Sequence, residues 1–233
     1  MLKNYILALI TILSLNSCGK SEKEIKKEKE KIEYQKKKIE LEKIHEQKIN
    51  VGKRKKITEL TMQLQRLPEA MKNARKNIED INKFKIGRAR STKERQLKKA
   101  YEELNEVRNY GERLKNEIAQ LEYFKTFDFQ KTPESVMNYI FESAKKGDFS
   151  DFRNLCDPYA ENDMDVNAIC YAEMLSNKRK KELVDMFKNG RIIGNSIVYN
   201  DKVKIEFASG LNSDKLRKMT FVKRNNLWYL SNF

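Results

Sequence analysis

Histidine is nearly absent from this chain of 233 residues: His45 is the only one, and it sits in a stretch made almost entirely of Lys and Glu. A histidine-based mechanism or a histidine metal site is therefore excluded from the C-terminal half, and His45 reads most simply as a solvated residue on a polar helix. Glycine is scarce at eight residues and proline at three. Neither a glycine-rich phosphate loop, nor a G-x-S-x-G nucleophile elbow, nor a zinc-ligand spacing is present. Long apolar runs are missing as well. The run Tyr5 to Leu15 covers eleven residues, well short of the ~20 that a membrane-spanning helix needs. No catalytic constellation and no cofactor motif emerges. The carboxylates Asp157, Asp163, Asp165 and Asp185 stand in no spacing that marks a base.

What is present begins at the amino end. Lys3 gives a positive start, the eleven-residue apolar run follows, and Leu15-Asn16-Ser17-Cys18 comes next. This segment resembles the signal of a bacterial lipoprotein, with Leu three before the cysteine and a small residue just before it. The resemblance implies removal of residues 1–17, acylation of Cys18 by palmitate-type chains, and a membrane anchor in the cell envelope. Gly19-Lys20 lacks the Asp after the cysteine that sorting rules of this class associate with inner-membrane retention. An outer membrane is expected if the cell has one. With Cys18 used in this way, Cys156 and Cys170 remain of the three cysteines. They form either a disulfide or two buried thiols.

Charge divides the chain unevenly. Residues 19–125 carry 31 Lys and Arg against 19 Asp and Glu, or +12, whereas residues 126–233 carry 17 against 15, or +2. A basic exported chain meets anionic lipid or cell-wall polymer more readily than nucleic acid, which is an unlikely partner here.

Residues 18–52 read as a charged helical tether. Ile25, Ile32 and Ile39 recur every seven residues, but one stripe that narrow cannot hold a bundle, and Asn50 and Gly52 are expected to interrupt it. Residues 53–125 differ. Ile57, Leu60, Leu64, Leu67, Met71, Ala74, Ile78 and Ile81 alternate spacings of three and four, as do Leu97, Ala100, Leu104, Val107, Gly111, Leu114, Ile118 and Leu121. Each set is a coiled-coil seam. The two do not share a heptad register, but folded back antiparallel their numbers pair to a constant sum of 178, which centres a turn on Ala89. Gly87 suits a helix end and Ser91-Thr92-Lys93-Glu94 a capping box for the next helix. Pro68 should bend the first helix or end it early, and Gly111 falls opposite Leu67 where a bend would need room. The turn is basic, with Lys85, Arg88 and Arg90 able to contact an anionic surface or simply to be solvated.

Residues 126–233 form an α+β pattern. Thr132-Pro133-Glu134 starts a helix whose face is Val136, Tyr139, Ile140 and Ala144 and which Gly147 closes. Phe149, Phe152 and Leu155 mark a short second helix, and a third is expected from about Val166 to Phe187. The period then becomes two: Val203, Ile205 and Phe207 alternate with Lys202, Lys204 and Glu206 after a turn at Asn200-Asp201. Met219, Phe221, Trp228 and Leu230 give a second hairpin through Arg224-Asn225-Asn226. The phrase TPESVMNYIFESAKKGDFSDFRNLC with the closing NNLWYLSNF resembles the NTF2-like (cystatin-like cone) domains of the DUF4878 kind. That resemblance implies a curved sheet wrapped on three helices, with a conical pocket used for small ligands, for assembly or, as in isomerase and dehydratase relatives, for catalysis. Tyr139, Tyr171 and Trp228 would line such a pocket or fill the core. Together these features describe a lipid-anchored protein that presents a binding or assembly domain on a coiled-coil spacer. In the alternative, the coiled coil is the part that grips a partner protein or a second copy of the chain.

Overall fold

The computed structural model describes residues 22–84, 90–121 and 125–233. Cys18, the leader and the turn residues Lys85, Gly87 and Arg88 lie outside the described residues, and Arg90 is described by its backbone alone. Contacts divide the chain into two compact units, Met1–Glu46 and Gln47–Phe233. The described part of the first is the opening stretch of helix α1 (Glu22–Lys83). There Ile25 is exposed and Ile32 and Ile39 are only half-buried, as a single narrow stripe dictates. Among the described residues, no helix is long and apolar enough to cross a membrane.

Within the second unit α1 runs through Asn50 and Gly52 without a break, contrary to the expected interruption. The glycine serves close approach rather than helix termination. A Cβ at position 52 would fall on the Pro158 carbonyl oxygen and lie 2.7 Å from the Tyr159 carbonyl carbon, so only a residue without a side chain lets the helix pass over that loop. Pro68 also lies inside α1 and does not divide it, although it removes one backbone bond.

Helix α2 (Arg90–Gln120) folds back along α1. Every position of the two apolar seams is buried or half-buried. Ile78, Ala100 and Leu104 make a buried cluster against which Met71, Ala74, Ile81 and Leu97 pack, the pairs that the constant sum brings together. Gly111 meets Leu67 as expected, the position of its missing Cβ being 3.0 Å from Leu67 Cδ1. The start of α2 differs from expectation, since Ser91 lies inside the helix rather than capping it. Lys93 does the capping, for the other helix: its Nζ donates to the carbonyls of Asn82 at 2.7 Å and Phe84 at 3.0 Å, at the end of α1 where the last turn's carbonyls lack intrahelical donors.

The rest of the unit is the α+β fold. Helix α3 (Pro133–Lys146) starts at Thr132, whose side chain accepts from Ser135 N, and stops at Gly147 in the left-handed region, φ 69°. The long third helix expected from Val166 to Phe187 is instead α4 (Met164–Cys170), a 3₁₀ turn (Ala172–Met174) and α5 (Asn177–Phe187). Asp163 and Ser176 each cap a new start, and the Cys156–Cys170 disulfide, Cα atoms 5.7 Å apart, holds the end of α4 to the preceding loop. The apolar pattern hid the break because all three pieces face one core.

Strands β1 (Arg191–Ile192), β2 (Ile197–Tyr199), β3 (Lys202–Ser209), β4 (Lys215–Arg224) and β5 (Leu227–Asn232) form one antiparallel sheet in the order β1-β3-β4-β5, with β2 also paired to β3. Strand β1 is the one not foreseen, two residues being too few to show a period. Both expected hairpins form. Asn225 and Asn226 take φ 46° and 67°, the left-handed pair that a two-residue turn demands and asparagine tolerates. Val203, Ile205, Phe207, Met219, Phe221 and Leu230 turn one face of the sheet to Val136, Ile140, Ala144, Leu183 and Phe187 of the helices, all of them buried.

Candidate functional site

Of the three aromatic side chains expected to line a pocket or fill the core, Tyr171 and Trp228 belong to the core and Tyr139 packs against it. Tyr139, on α3, stacks on Phe129 with ring centroids 4.1 Å apart. Burial raises its phenol pKa, with a Ser143 hydrogen bond opposing. Trp228 is 8% exposed and belongs to the core, with the Lys223 ammonium 5.8 Å over its ring. Tyr171 ends α4 and faces the helical hairpin, where Lys56 Nζ lies 4.4 Å over its ring. Its phenol is pushed far above the usual range, first by burial and then by Glu117 and Glu59.

Tyr171 is the only one of the three that lines a cavity described here, a small one of about 50 Å³ enclosed with Gly52, Lys56, Leu121 and Arg153. Around it the base of the hairpin is seated by polar groups. Lys55 Nζ donates to Ala160 O at 3.1 Å, Lys56 Nζ to Glu59 at 3.0 Å and Asn167 at 3.3 Å, and Arg113 Nε to Met174 O at 3.1 Å. Glu117 and Arg153 approach to 3.2 Å with both side chains largely buried, but Glu117 Oε1 and Arg153 Nε meet off-axis and neither has a well-angled hydrogen bond. Burial holds the Glu117 carboxyl above its ordinary range, against the pull of Arg153. These groups fasten one element to another. In sequence they look like ordinary surface charges, since Lys55, Lys56, Arg113 and Glu117 stand beside the apolar seams and not in them, and Arg153 lies between Phe152 and Leu155 with no partner in view.

A larger opening lies at the other end of the core. Strand β4 turns Phe221, Met219 and Arg217 to the same face, opposite Val203, Ile205 and Phe207 of β3. Arg217 is therefore a cation in an apolar row. Its guanidinium lies 5.4 Å from the Phe233 ring centre and its Nε is buried without a hydrogen-bond partner. Beneath it Phe187, Phe207 and Phe233 stack with centroids 5.9 to 6.2 Å apart. The groove above holds about 420 Å³ and is walled by Glu182, Asp185 and Met186 of α5, by Ser209 and Arg217 of the sheet and by Gly210 in the β3–β4 turn. The aromatic rings lie below the groove and do not line it. Its own walls combine the apolar side chains of Met186 and Leu211 with the Arg217 guanidinium, Lys215 and the carboxylates of Glu182, Asp185 and Asp214, a mixed lining of the kind that small-ligand sites have. The signal that could have found it was the phase of Arg217, two and four residues before Met219 and Phe221.

Among the described residues, no group of three or more His, Cys, Asp or Glu is arranged to hold a metal ion. Comparison with protein-family models, with curated proteins and with solved structures gave no match.

Proposed function

We propose that this chain is a membrane-anchored lipoprotein of the cell envelope, acylated at Cys18, in which a coiled-coil hairpin carries an NTF2-like domain that binds a ligand or assembles with a partner without catalysis. The observation that carries the reading is the way the hairpin is joined to the α+β fold. Helix backbone rests on loop backbone at Gly52, and Lys56 and Glu117 are 6% and 3% exposed beside it. A flexible linker would have no reason to bury two charged side chains, which cost several kcal/mol to take from water unless paired. The hairpin is a fixed spacer. The order of capped helices followed by an antiparallel sheet, with a groove of mixed polar and apolar lining beside Arg217, supports the cone-like reading and a binding role.

Acyl chains contribute about 0.8 kcal/mol per buried CH₂, and lasting attachment takes more than one chain, which a multiply acylated cysteine supplies. The test is metabolic labelling with palmitate in a bacterial host, followed by membrane fractionation. The wild-type chain should take up label and sediment with membranes, and Cys18→Ala should do neither. Equal labelling of the variant, or an unprocessed wild-type chain in the soluble fraction, overturns the proposal. A second reading, in which the hairpin grips a partner, is favoured by Met62 and Tyr101, each about half exposed on the helices. Loss of a crosslinked partner on Met62→Ser with Tyr101→Ser, but not on Arg217→Gln, would establish it.

A further inference from the structure

The sheet has a second face, turned away from the helices, and a groove of about 520 Å³ runs across it. Its floor is one cross-strand row, in which Lys204 of β3 faces Thr220 of β4 and Thr220 faces Asn232 of β5. The next row begins with Tyr199 opposite Lys202 at the Asn200-Asp201 hairpin. Glu161 and Asp163 form the far wall.

The charged groups still open to a partner decide what this groove accepts. Both wall carboxylates are already occupied. Glu161 Oε2 accepts from Arg224 at 2.6 Å. Asp163 accepts from Val166 N through Oδ1 at 2.7 Å and from Phe233 N through Oδ2 at 3.0 Å. The ammonium groups of Lys202 and Lys204 make no ion pair among the described residues, although Lys218, one row further along β4, is paired with Glu206 at 2.8 Å. The formal charges of the lining balance, two lysines against two carboxylates. The carboxylates already accept hydrogen bonds from the protein, however, while the two ammonium groups have no carboxylate partner among the described residues and are the charged donors left for a ligand. Tyr199 adds an apolar plate: it is 60% exposed, on a strand that ends at the tight Asn200-Asp201 turn. Thr220 and Asn232 supply a hydroxyl and an amide between the plate and the wall.

The geometry points to this outer groove as a binding site for an acidic oligosaccharide, a chain of sugar rings bearing carboxylate or phosphate groups. One ring would lie on Tyr199, which offers an apolar face, and its acidic group would take charge-assisted hydrogen bonds from Lys202 and Lys204. Ring hydroxyls would pair with Thr220 and Asn232. The site is separate from the groove at Arg217, which opens on the helix-covered face of the sheet, and it does not depend on the proposal made for that groove.

The test is titration calorimetry on the full chain in detergent, with tetragalacturonate as acidic probe and maltotetraose as neutral control. Saturable binding of the acidic probe is expected, weakening as salt is raised, with little or none for the control. A hydrogen bond to a charged group is worth about 1.5–3 kcal/mol, so Lys204→Gln should weaken binding about tenfold or more. Tyr199→Ala should also weaken it, and Arg217→Gln should leave it unchanged. All three side chains are at least partly exposed, so an unchanged melting temperature certifies the variants. Equal binding of the neutral sugar, binding indifferent to Lys204 and Tyr199, or inorganic phosphate binding as tightly with the same Lys204 dependence would each overturn the assignment. The last would mark a site that reads charge alone.

Discussion

Gly52 and Gly111 occupy the same helical hairpin but answer to different neighbours, and replacing each by Ala separates the two roles. At Gly52 the added Cβ meets the Pro158 and Tyr159 backbone, which cannot turn aside. Gly52→Ala should cost about 1–3 kcal/mol as an overpacked contact. At Gly111 the neighbour is the tip of Leu67 at 3.0 Å, a side chain that can rotate. The loss there is offset by the ~0.5–1 kcal/mol that Ala gains over Gly inside a helix, so Gly111→Ala should be close to neutral. Urea unfolding of the two variants checks the contrast, and equal costs would refute it. Glu117 allows a second test. Its folded pKa is raised from the 4.5 of a free carboxyl, burial being the largest cause. The folded state thus holds the proton more tightly than the unfolded chain. Glu117's contribution to stability is complete below the ordinary carboxylate range and is lost as pH rises through the raised value. Glu117→Gln removes that slope. Its stability relative to wild type, whatever fixed penalty Arg153 imposes when left without a counter-charge, should improve from pH 4 to pH 7. A constant difference would show that Arg153 fully balances the burial. Neither residue declared its role in the sequence. Gly52 after Asn50 looks like a helix stop, and Glu117 looks solvated until Arg153, from the 3₁₀ turn Phe152–Leu155, meets it.

At the scale of elements, periodicity carried most of the information. The three-and-four spacing of the two seams located both helices and their pairing, and the two-residue alternation from Val203 to Phe207 located β3 and its buried face. Periodicity fails where consecutive pieces share one core, which is why α4, the 3₁₀ turn and α5 read as a single helix. It is also silent on strands as short as β1. The Cys156–Cys170 bridge is legible only as a possibility, since spacing alone cannot tell a bond from two thiols. Because it closes a loop of 14 residues, it should contribute roughly 3 kcal/mol by restricting the unfolded chain. Cys156→Ala with Cys170→Ala is expected to lose about that amount in urea unfolding. The loss should appear first in the loop that carries Pro158 and Tyr159, as faster amide exchange there, and exchange that rises uniformly instead would mean the bridge acts on the unfolded state alone.

For the molecule as a whole, the notable fact is that the hairpin and the α+β fold belong to one compact unit, Gln47–Phe233. Composition suggests a seam between them at residue 125, where charge falls from strongly basic to nearly balanced. Packing runs across that point, because Leu121 at the base of the hairpin packs against the core that holds Cys156 and Tyr171. Helix content and the near-ultraviolet signal of the aromatic core should therefore be lost in one coincident thermal transition, while a fragment cut to residues 126–233 should melt lower and expose apolar surface to a dye. Two separate transitions in the full chain would contradict this. The Gly52 contact has a further implication for how such a chain tolerates change. A joint made of main chain against main chain is indifferent to side-chain drift in the loop, but it is keyed to rotation. One residue inserted between Gly52 and Leu60 would turn the helix by about 100°, and the bare notch would no longer face the loop while the apolar stripe still faced its partner helix. Spacing between notch and stripe, rather than the identity of most residues in between, is what inheritance or design would have to preserve.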